Sequence, residues 1–133
     1  MKQTLEMQLL QRIDRSHGDV FLRGDFDDLG SYDQVGRALR DLVKQGRLMK
    51  IGFGLYSRTI RSLLDDRVLP PKGLSTLREA LKRVGIETFP SRSLQDYNAG
   101  RTTQVPTGRV VGVNRRVRRK VGYNGFTMGF ERV

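Results

Sequence analysis

Apolar residues near the N-terminus recur at the spacing of a helix. Starting at Leu5, every fourth residue is apolar as far as residue 13, which predicts a helix over residues 3–15. Two short elements follow, an extended segment at residues 20–22 and a stubby helix at residues 25–29. Both connect the first helix to a longer one.

The most regular apolar stripe follows Ser31. Ser31 and Gln34 have the spacing of a capping box, in which each side chain accepts a hydrogen bond from the other residue's backbone amide. Gly46 stands where the left-handed residue after a helix is expected. The pattern therefore predicts a helix between these points whose buried face consists of Val35, Ala38, Leu39, Leu42 and Val43.

Two strand-like runs come next, at residues 47–51 and 55–58, and Gly52-Phe53-Gly54 separates them. Glycines in a short loop between such runs predict a β-hairpin. The order helix, short helix, capped helix and hairpin is typical of a winged helix-turn-helix. Residues 1–60 are therefore expected to form this domain.

Residues 61–133 are expected to form a small C-terminal α+β region with basic strands, so the predicted fold class of the chain is α+β. A short helix is predicted at residues 59–69, and a second capping box, from Thr76 to Glu79, predicts the start of another helix. Asn124-Gly125 is a strong hairpin signal between two strands. The strands are predicted at residues 110–113, 120–123 and 126–130.

The charge of the chain indicates its class of partner. Its 133 residues include 25 Lys and Arg against 14 Asp and Glu, a net charge of +11. Residues 101–133 hold eight basic side chains and one acidic one, whereas residues 1–60 hold ten and eight. A positive charge distributed so unevenly favours a polyanionic partner, and a winged helix-turn-helix would bind duplex DNA.

The helix that follows Ser31 would enter the major groove with its first residues at the base edges. Arg binds guanine through two hydrogen bonds, Gln addresses adenine, and Asp accepts from cytosine. Cations further along this face and at the hairpin would contact phosphates. The expected contact residues are Ser31, Tyr32, Asp33, Gln34, Arg37, Arg40, Lys44 and Lys50. The alternative is an ordinary amphipathic helix with a solvated charged face.

Phe53 is unusual because an aromatic residue at a turn has no packing reason of its own. It could wedge into or stack on nucleic acid, or fold back on the core, and the sequence interpretation favours the core.

The segment Arg115-Arg116-Val117-Arg118-Arg119-Lys120, called the basic run below, has five basic residues among six. If the segment is extended, neither face is apolar, which predicts a sheet edge or a loop rim. Arg115, Arg116, Arg118 and Arg119 are expected to contact phosphates. Charge that protects an edge strand from aggregation is an equal alternative. An RNA- or protein-binding adaptor that uses these strands is the second functional hypothesis.

Catalysis is not expected. The chain has no cysteine, and His17 is its one histidine. The aspartates at positions 25, 27 and 28 make only a weak Mg²⁺ candidate, because a hard-cation site usually needs a further ligand. No metal or cofactor is expected. Neither a membrane-spanning run nor a secretory signal is recognised, so the expected location is the cytoplasm.

Two stretches of the chain are similar to a known family. Residues 19–56, in particular Val35-Gly36-Arg37-Ala38-Leu39 and Leu42 to Tyr56, resemble the winged-helix domain of AbiEi-type antitoxins. The segment Asn98-Ala99-Gly100-Arg101-Thr102-Thr103-Gln104-Val105-Pro106 resembles the Thr-Thr-Gln-Val-Pro segment that precedes a small β region in that family. The second stretch is the more specific, because nothing in a winged helix requires it.

The resemblance implies a transcriptional regulator that binds its operator and represses its own operon. A homodimer is one arrangement expected for the chain on DNA. It also implies an antitoxin to a nucleotidyltransferase-like toxin, acting without a stable complex. Operator binding would then be carried by Ser31, Tyr32, Asp33, Gln34, Arg37 and Lys50.

Overall fold

The computed structural model describes residues 3–133, which form four helices, a 3-10 helix and nine short strands. The fold class is α+β, as predicted. In this part of the chain no helix is both long and apolar enough to cross a membrane. The elements are α1 (Leu5–Arg15), β1 (Val20–Leu22), the 3-10 helix (Arg23–Phe26), α2 (Tyr32–Lys44), β2 (Met49–Gly52), β3 (Leu55–Ser57), β4 (Ile60–Arg61), β5 (Val68–Leu69), α3 (Leu74–Arg83), α4 (Arg92–Asn98), β6 (Val110–Val113), β7 (Gly122–Tyr123), β8 (Phe126–Thr127) and β9 (Gly129–Arg132).

The predicted capping box of α2 is confirmed. Ser31 Oγ accepts from the Gln34 amide at 3.2 Å, and Gln34 Oε1 accepts from the Ser31 amide at 3.0 Å. Gly46 follows the helix with φ +75°. The stubby helix predicted at residues 25–29 is instead the 3-10 helix, because Asp25 Oδ2 accepts from the Leu22 amide and starts the turn earlier.

Strands β1, β3 and β2 form an antiparallel sheet in that order. Consecutive strand residues point to opposite faces, and here both faces are buried. On one face Phe21 and Tyr56 pack with α1 and α2. On the other face Val20, Ile51 and Leu55 pack with α3 and the C-terminal strands, so this cluster joins residues from both sides of residue 60.

Helix α3 starts earlier than predicted. Its N-cap is Gly73, so Thr76 lies within the helix, where its buried Oγ1 accepts from the Lys72 amide at 3.0 Å. Glu79 Oε2 accepts from the amides of Asp19 and Val20 at 2.9 and 3.0 Å. The predicted capping box is therefore wrong. Thr76 is not the N-cap, and the Thr76 and Glu79 side chains bind backbone amides of residues that precede the helix.

The helix predicted at residues 59–69 is also wrong. Strands β4 and β5 pair there as a hairpin, with Ile60 opposite Leu69, and the Ser62 amide donates to the Arg67 carbonyl at 2.9 Å. These bonds satisfy the backbone groups that a helix would have paired.

The C-terminal region contains two further strand pairs. The hairpin of β7 and β8 turns at Asn124 and Gly125, with φ 50° and 85°, as the sequence predicts. Strand β9 leaves this hairpin and pairs with β6 in parallel. Helix α4, which was not predicted, is capped by Ser91, whose Oγ accepts from the Leu94 amide at 3.1 Å.

Candidate nucleic-acid interface

Helix α2 has one buried and one exposed face. Its buried residues are Val35, Gly36, Ala38, Leu39 and Leu42. The residues predicted to contact DNA are all exposed, namely Ser31, Tyr32, Asp33, Gln34, Arg37, Arg40 and Lys44. Three of these are cations and one is a carboxylate, so the exposed face is basic and accessible.

The capping box limits what two of these residues can contribute. Ser31 Oγ and Gln34 Oε1 are already acceptors within the first turn. Ser31 therefore positions the start of α2. Gln34 keeps its side-chain NH₂ group, which can donate to a ligand acceptor.

Arg23, which was not predicted as a site residue, lies against the first turn of α2. Its guanidinium stacks on the Tyr32 ring, with Cζ 3.4 Å from the ring centroid, and its Nη2 donates a hydrogen bond to the Tyr32 carbonyl. Its Nε is buried without a hydrogen-bond partner in the described structure. A Cβ at Gly36 would overlap this guanidinium. Gly36 was the sequence signal for this contact, since a glycine inside a regular helix pattern can mark the close approach of another group to the helix.

Arg23 also joins α2 to the β2–β3 hairpin. Its backbone amide donates to the carbonyl of Gly54 at 3.1 Å. The turn consists of Phe53 and Gly54, and Gly54 has φ +67°, which favours glycine. The start of α2 and the hairpin turn are therefore held next to each other by one residue.

The expectation that Phe53 folds back on the core is wrong, because its side chain is 81% exposed. The reason lies in the strands below it. Ile51 and Leu55 already occupy the core beneath the turn, and the turn residue projects beyond them. Lys50 is exposed too, with its Nζ 5.9 Å from the Phe53 ring centroid.

The structure brings the basic run to this hairpin. Gly52 forms an antiparallel bridge with Val121, directly after the run, and Arg119 Nη1 donates to the Phe53 carbonyl at 3.4 Å. The run has no regular secondary structure, so the loop-rim alternative describes it. Arg116, Arg118, Arg119 and Lys120 are exposed. Arg115 is exposed as well, but its Nη2 donates to the Gly85 carbonyl at 3.1 Å, beyond the end of α3.

Two of the three aspartates at positions 25, 27 and 28 are paired with arginines. Arg12 binds both carboxylate oxygens of Asp28 at 2.7 Å, and this hydrogen bonding lowers the pKa of Asp28 from its ordinary value. Asp25 accepts from Arg83 Nη2 at 2.6 and 2.7 Å. Within residues 3–133 no group of three or more His, Cys, Asp or Glu is arranged to hold a metal ion.

The Thr-Thr-Gln-Val-Pro segment has different surroundings. Residues 102 and 104–106 line a hollow of about 410 Å³ together with Ser91, Asp96 and Glu131. Its two carboxylates distinguish this hollow from the basic surface at α2 and the hairpin.

The chain was compared with models of protein families, with curated proteins and with solved structures, and none of the three comparisons finds a match. The resemblance to AbiEi-type antitoxins therefore stays a prediction.

Proposed function

We propose that the chain binds duplex DNA through a winged helix-turn-helix and acts as a sequence-specific transcriptional repressor. The observation that carries this proposal is a series of direct contacts. The first turn of α2 contacts Arg23, Arg23 contacts the β2–β3 turn, and that turn contacts the basic run. The exposed residues along this series are predominantly basic.

The order of elements supports a winged helix-turn-helix. Helix α1, strand β1, a short helix, α2 and a hairpin follow one another, and the sheet has the order β1-β3-β2. In this interpretation the 3-10 helix and α2 form the helix-turn-helix, and α2 is the helix that enters the major groove. The β2–β3 turn is the wing.

The exposed residues divide by the DNA groups that suit them. Tyr32, Asp33, Gln34 and Arg37, on the first turns of α2, face base edges. Arg40, Lys44, Lys50 and the exposed arginines of the basic run suit phosphates, which fix the register of the protein on the duplex.

We further propose that this repressor works in the cytoplasm as the antitoxin of a toxin–antitoxin pair. Support comes from the resemblance of residues 19–56 and 98–106 to AbiEi-type antitoxins. The toxin would be nucleotidyltransferase-like and would not form a stable complex with the chain. Co-expression with the neighbouring reading frame tests this: growth should be rescued while the two proteins fail to co-purify. Rescue that requires a co-purifying complex would contradict it.

The DNA-binding experiment uses two duplexes, the fragment immediately upstream of the chain's own reading frame and a shuffled sequence of equal length. Arg37→Ala should lose preference for the first duplex, by about 1–3 kcal/mol for one bidentate base contact. Lys50→Ala should weaken both duplexes equally and make the salt dependence shallower, by about 0.9 in the slope of log K against log salt. Both losses follow from what each side chain would contact.

Arg101→Ala is the matched control for both variants. Arg101 is an exposed cation that pairs with Asp96 of α4, and its removal changes net charge by the same amount. It should leave the ratio between the two duplexes unchanged. If Arg37→Ala, like Lys50→Ala, weakened both duplexes by the same factor, α2 would not be the reading element.

A second candidate function is an adaptor that binds RNA or protein through the basic run. The observation that favours it is that the run stays exposed and irregular although Val121, directly after it, is buried. Such an adaptor would keep its binding in the variant Arg37→Ala/Arg40→Ala and lose it when the charges of residues 115–120 are reversed. The repressor should lose sequence preference in the first of these variants.

A further inference from the structure

Phe53 is a large, exposed apolar side chain with basic residues beside it. It lies in the two-residue turn between β2 and β3. Its side chain is 81% exposed and therefore contributes nothing to the core. The turn conformation itself requires only the glycine that follows, which has φ +67°. Neither packing nor backbone geometry therefore explains an aromatic ring at this position.

The turn that carries Phe53 is held on two sides. On one side the Arg23 amide donates to the Gly54 carbonyl at 3.1 Å. On the other side Arg119 donates to the Phe53 carbonyl at 3.4 Å, and Gly52 bridges Val121. The ring therefore projects from a turn whose backbone is fixed to two separate parts of the chain.

The groups around Phe53 are cations. Lys50 Nζ lies 5.9 Å from the ring centroid, and Arg119 contacts its carbonyl. Leu63 and Leu64 at the tip of the β4–β5 hairpin are also exposed apolar residues, but Asp65 and Asp66 follow them directly. Carboxylates are repelled by phosphates, so Phe53 is the exposed apolar tip that suits a nucleic acid.

We propose that Phe53 inserts between two base pairs in the minor groove of bound duplex DNA and kinks it there. Minor-groove proteins use phenylalanine as such a wedge, and the kink bends the duplex toward its major groove. This inference rests on the proposed function, in which α2 occupies the major groove. The cations beside the turn, Lys50 and Arg119, suit the phosphates that line this groove.

The surroundings favour a duplex over a single strand. Proteins that bind single strands stack successive bases on several aromatic side chains. Tyr32 is the exposed aromatic residue on the adjoining turn of α2, but the guanidinium of Arg23 covers one face of its ring at 3.4 Å. A lone ring between cations suits a wedge at one base step.

The test compares Phe53→Ala, Phe53→Leu and the matched control Leu63→Ala, which removes an equally exposed apolar side chain from the other hairpin. The probe is the upstream duplex with a donor and an acceptor dye at its ends, so that energy transfer reports the bend and titration reports affinity. The unlabelled single strand of the same sequence is the competitor. Thermal unfolding checks that each variant is folded.

Phe53→Ala should lower duplex affinity by about tenfold, the scale of one lost base-stacking contact, and should straighten the duplex. The slope against salt should not change, because no charge is removed. Phe53→Leu should keep much of the bend, and Leu63→Ala should match the unchanged chain.

Two results would overturn the wedge while leaving the proposed function intact. One is a Phe53→Ala protein that binds and bends the duplex as the unchanged chain does. The other is an unchanged chain that binds the duplex without bending it, whereas a single strand that competes more strongly than the duplex would contradict the proposed function as well. If the unchanged chain bound no duplex at all, both the wedge and the proposed function would fail.

Discussion

Two β-hairpins follow each other in the chain, and their turns differ in how they are held. The β2–β3 turn is fixed by Arg23 on one side and by Arg119 and Val121 on the other. The tip of the β4–β5 hairpin is held by bonds within itself, from the Leu64 amide to Ser62 Oγ and from the Arg67 amide to Asp65 Oδ1. Contacts with distant parts of the chain therefore fix the position of the first turn.

The same two turns differ in charge. Phe53 is accompanied by cations, whereas Leu63 and Leu64 lie among two acidic and two basic residues. Exposure of an apolar side chain alone therefore does not identify a contact for nucleic acid. The charges around it and the rigidity of its backbone decide which partner it suits.

The largest expected contrast between the hairpins is in stability. Leu55→Ala removes a side chain that is 1% exposed at the base of the first hairpin. It should lower the free energy of unfolding by about 2–5 kcal/mol, the usual cost of a leucine-sized cavity. Leu64→Ala in the second hairpin should stay within about 0.5 kcal/mol of the unchanged chain. Urea unfolding measures both, and similar losses would show that the second tip is packed in solution.

The attachment of the basic run to the first hairpin can be broken at Gly52. A Cβ there would lie 2.9 Å from the Lys120 carbonyl oxygen, which belongs to the backbone and cannot rotate away. Gly52→Ala should therefore cost about 1–3 kcal/mol of unfolding free energy and weaken duplex binding, because the run must shift from the turn.

Gly24→Ala is the control for this substitution, since a Cβ at Gly24 meets its nearest neighbour at an ordinary 3.6 Å. It should change unfolding by less than Gly52→Ala. Equal effects of the two substitutions would mean that the run is not pressed against the hairpin.

How far the sequence could predict these features depends on the distance along the chain between the groups concerned. The capping box of Ser31 and the turn at Asn124 are local, and both are confirmed. The bridge from Gly52 to Val121 and the parallel pairing of β6 with β9 join residues far apart in sequence, and no local pattern encodes them.

The candidate site was predictable in part for the same reason. The exposure of Arg37 and Arg40 follows from helical periodicity around a buried stripe. Gly36 signals a close approach, but it does not identify Arg23 as the residue that makes it, because that contact depends on how the 3-10 helix meets α2. The helix predicted at residues 59–69 is wrong because no local pattern encodes the pairing of Ile60 with Leu69.

The role of Arg23 beside the first hairpin gives a smaller and sharper test. Gly36→Ala should stabilise a helix by about 1 kcal/mol through propensity alone. In the unchanged chain the new Cβ must displace the Arg23 guanidinium from Tyr32, so this gain should be lost. In an Arg23→Ala background the gain should appear in full. Urea unfolding of the unchanged chain, the two single variants and the double variant gives the coupling free energy between residues 23 and 36. An identical effect of Gly36→Ala in both backgrounds would contradict the contact.

The smallest expected difference between the two hairpins is in how their turns respond to pH. Asp65 accepts hydrogen bonds from the Arg67 amide and from the Arg67 guanidinium. Both bonds, the amide bond more strongly, lower the pKa of Asp65 from its ordinary value. A carboxylate whose pKa is lower in the folded state stabilises that state above its unfolded pKa, and this contribution is lost as the pH falls through the folded pKa. In an NMR titration the Arg67 amide shift should therefore follow Asp65 at a pH below the ordinary aspartate pKa, and Asp65→Asn should abolish the transition. The Gly54 amide, in a turn braced by arginines, should not shift with it. A pKa of Asp65 at or above the ordinary value would mean that the second tip does not hold its own turn in solution.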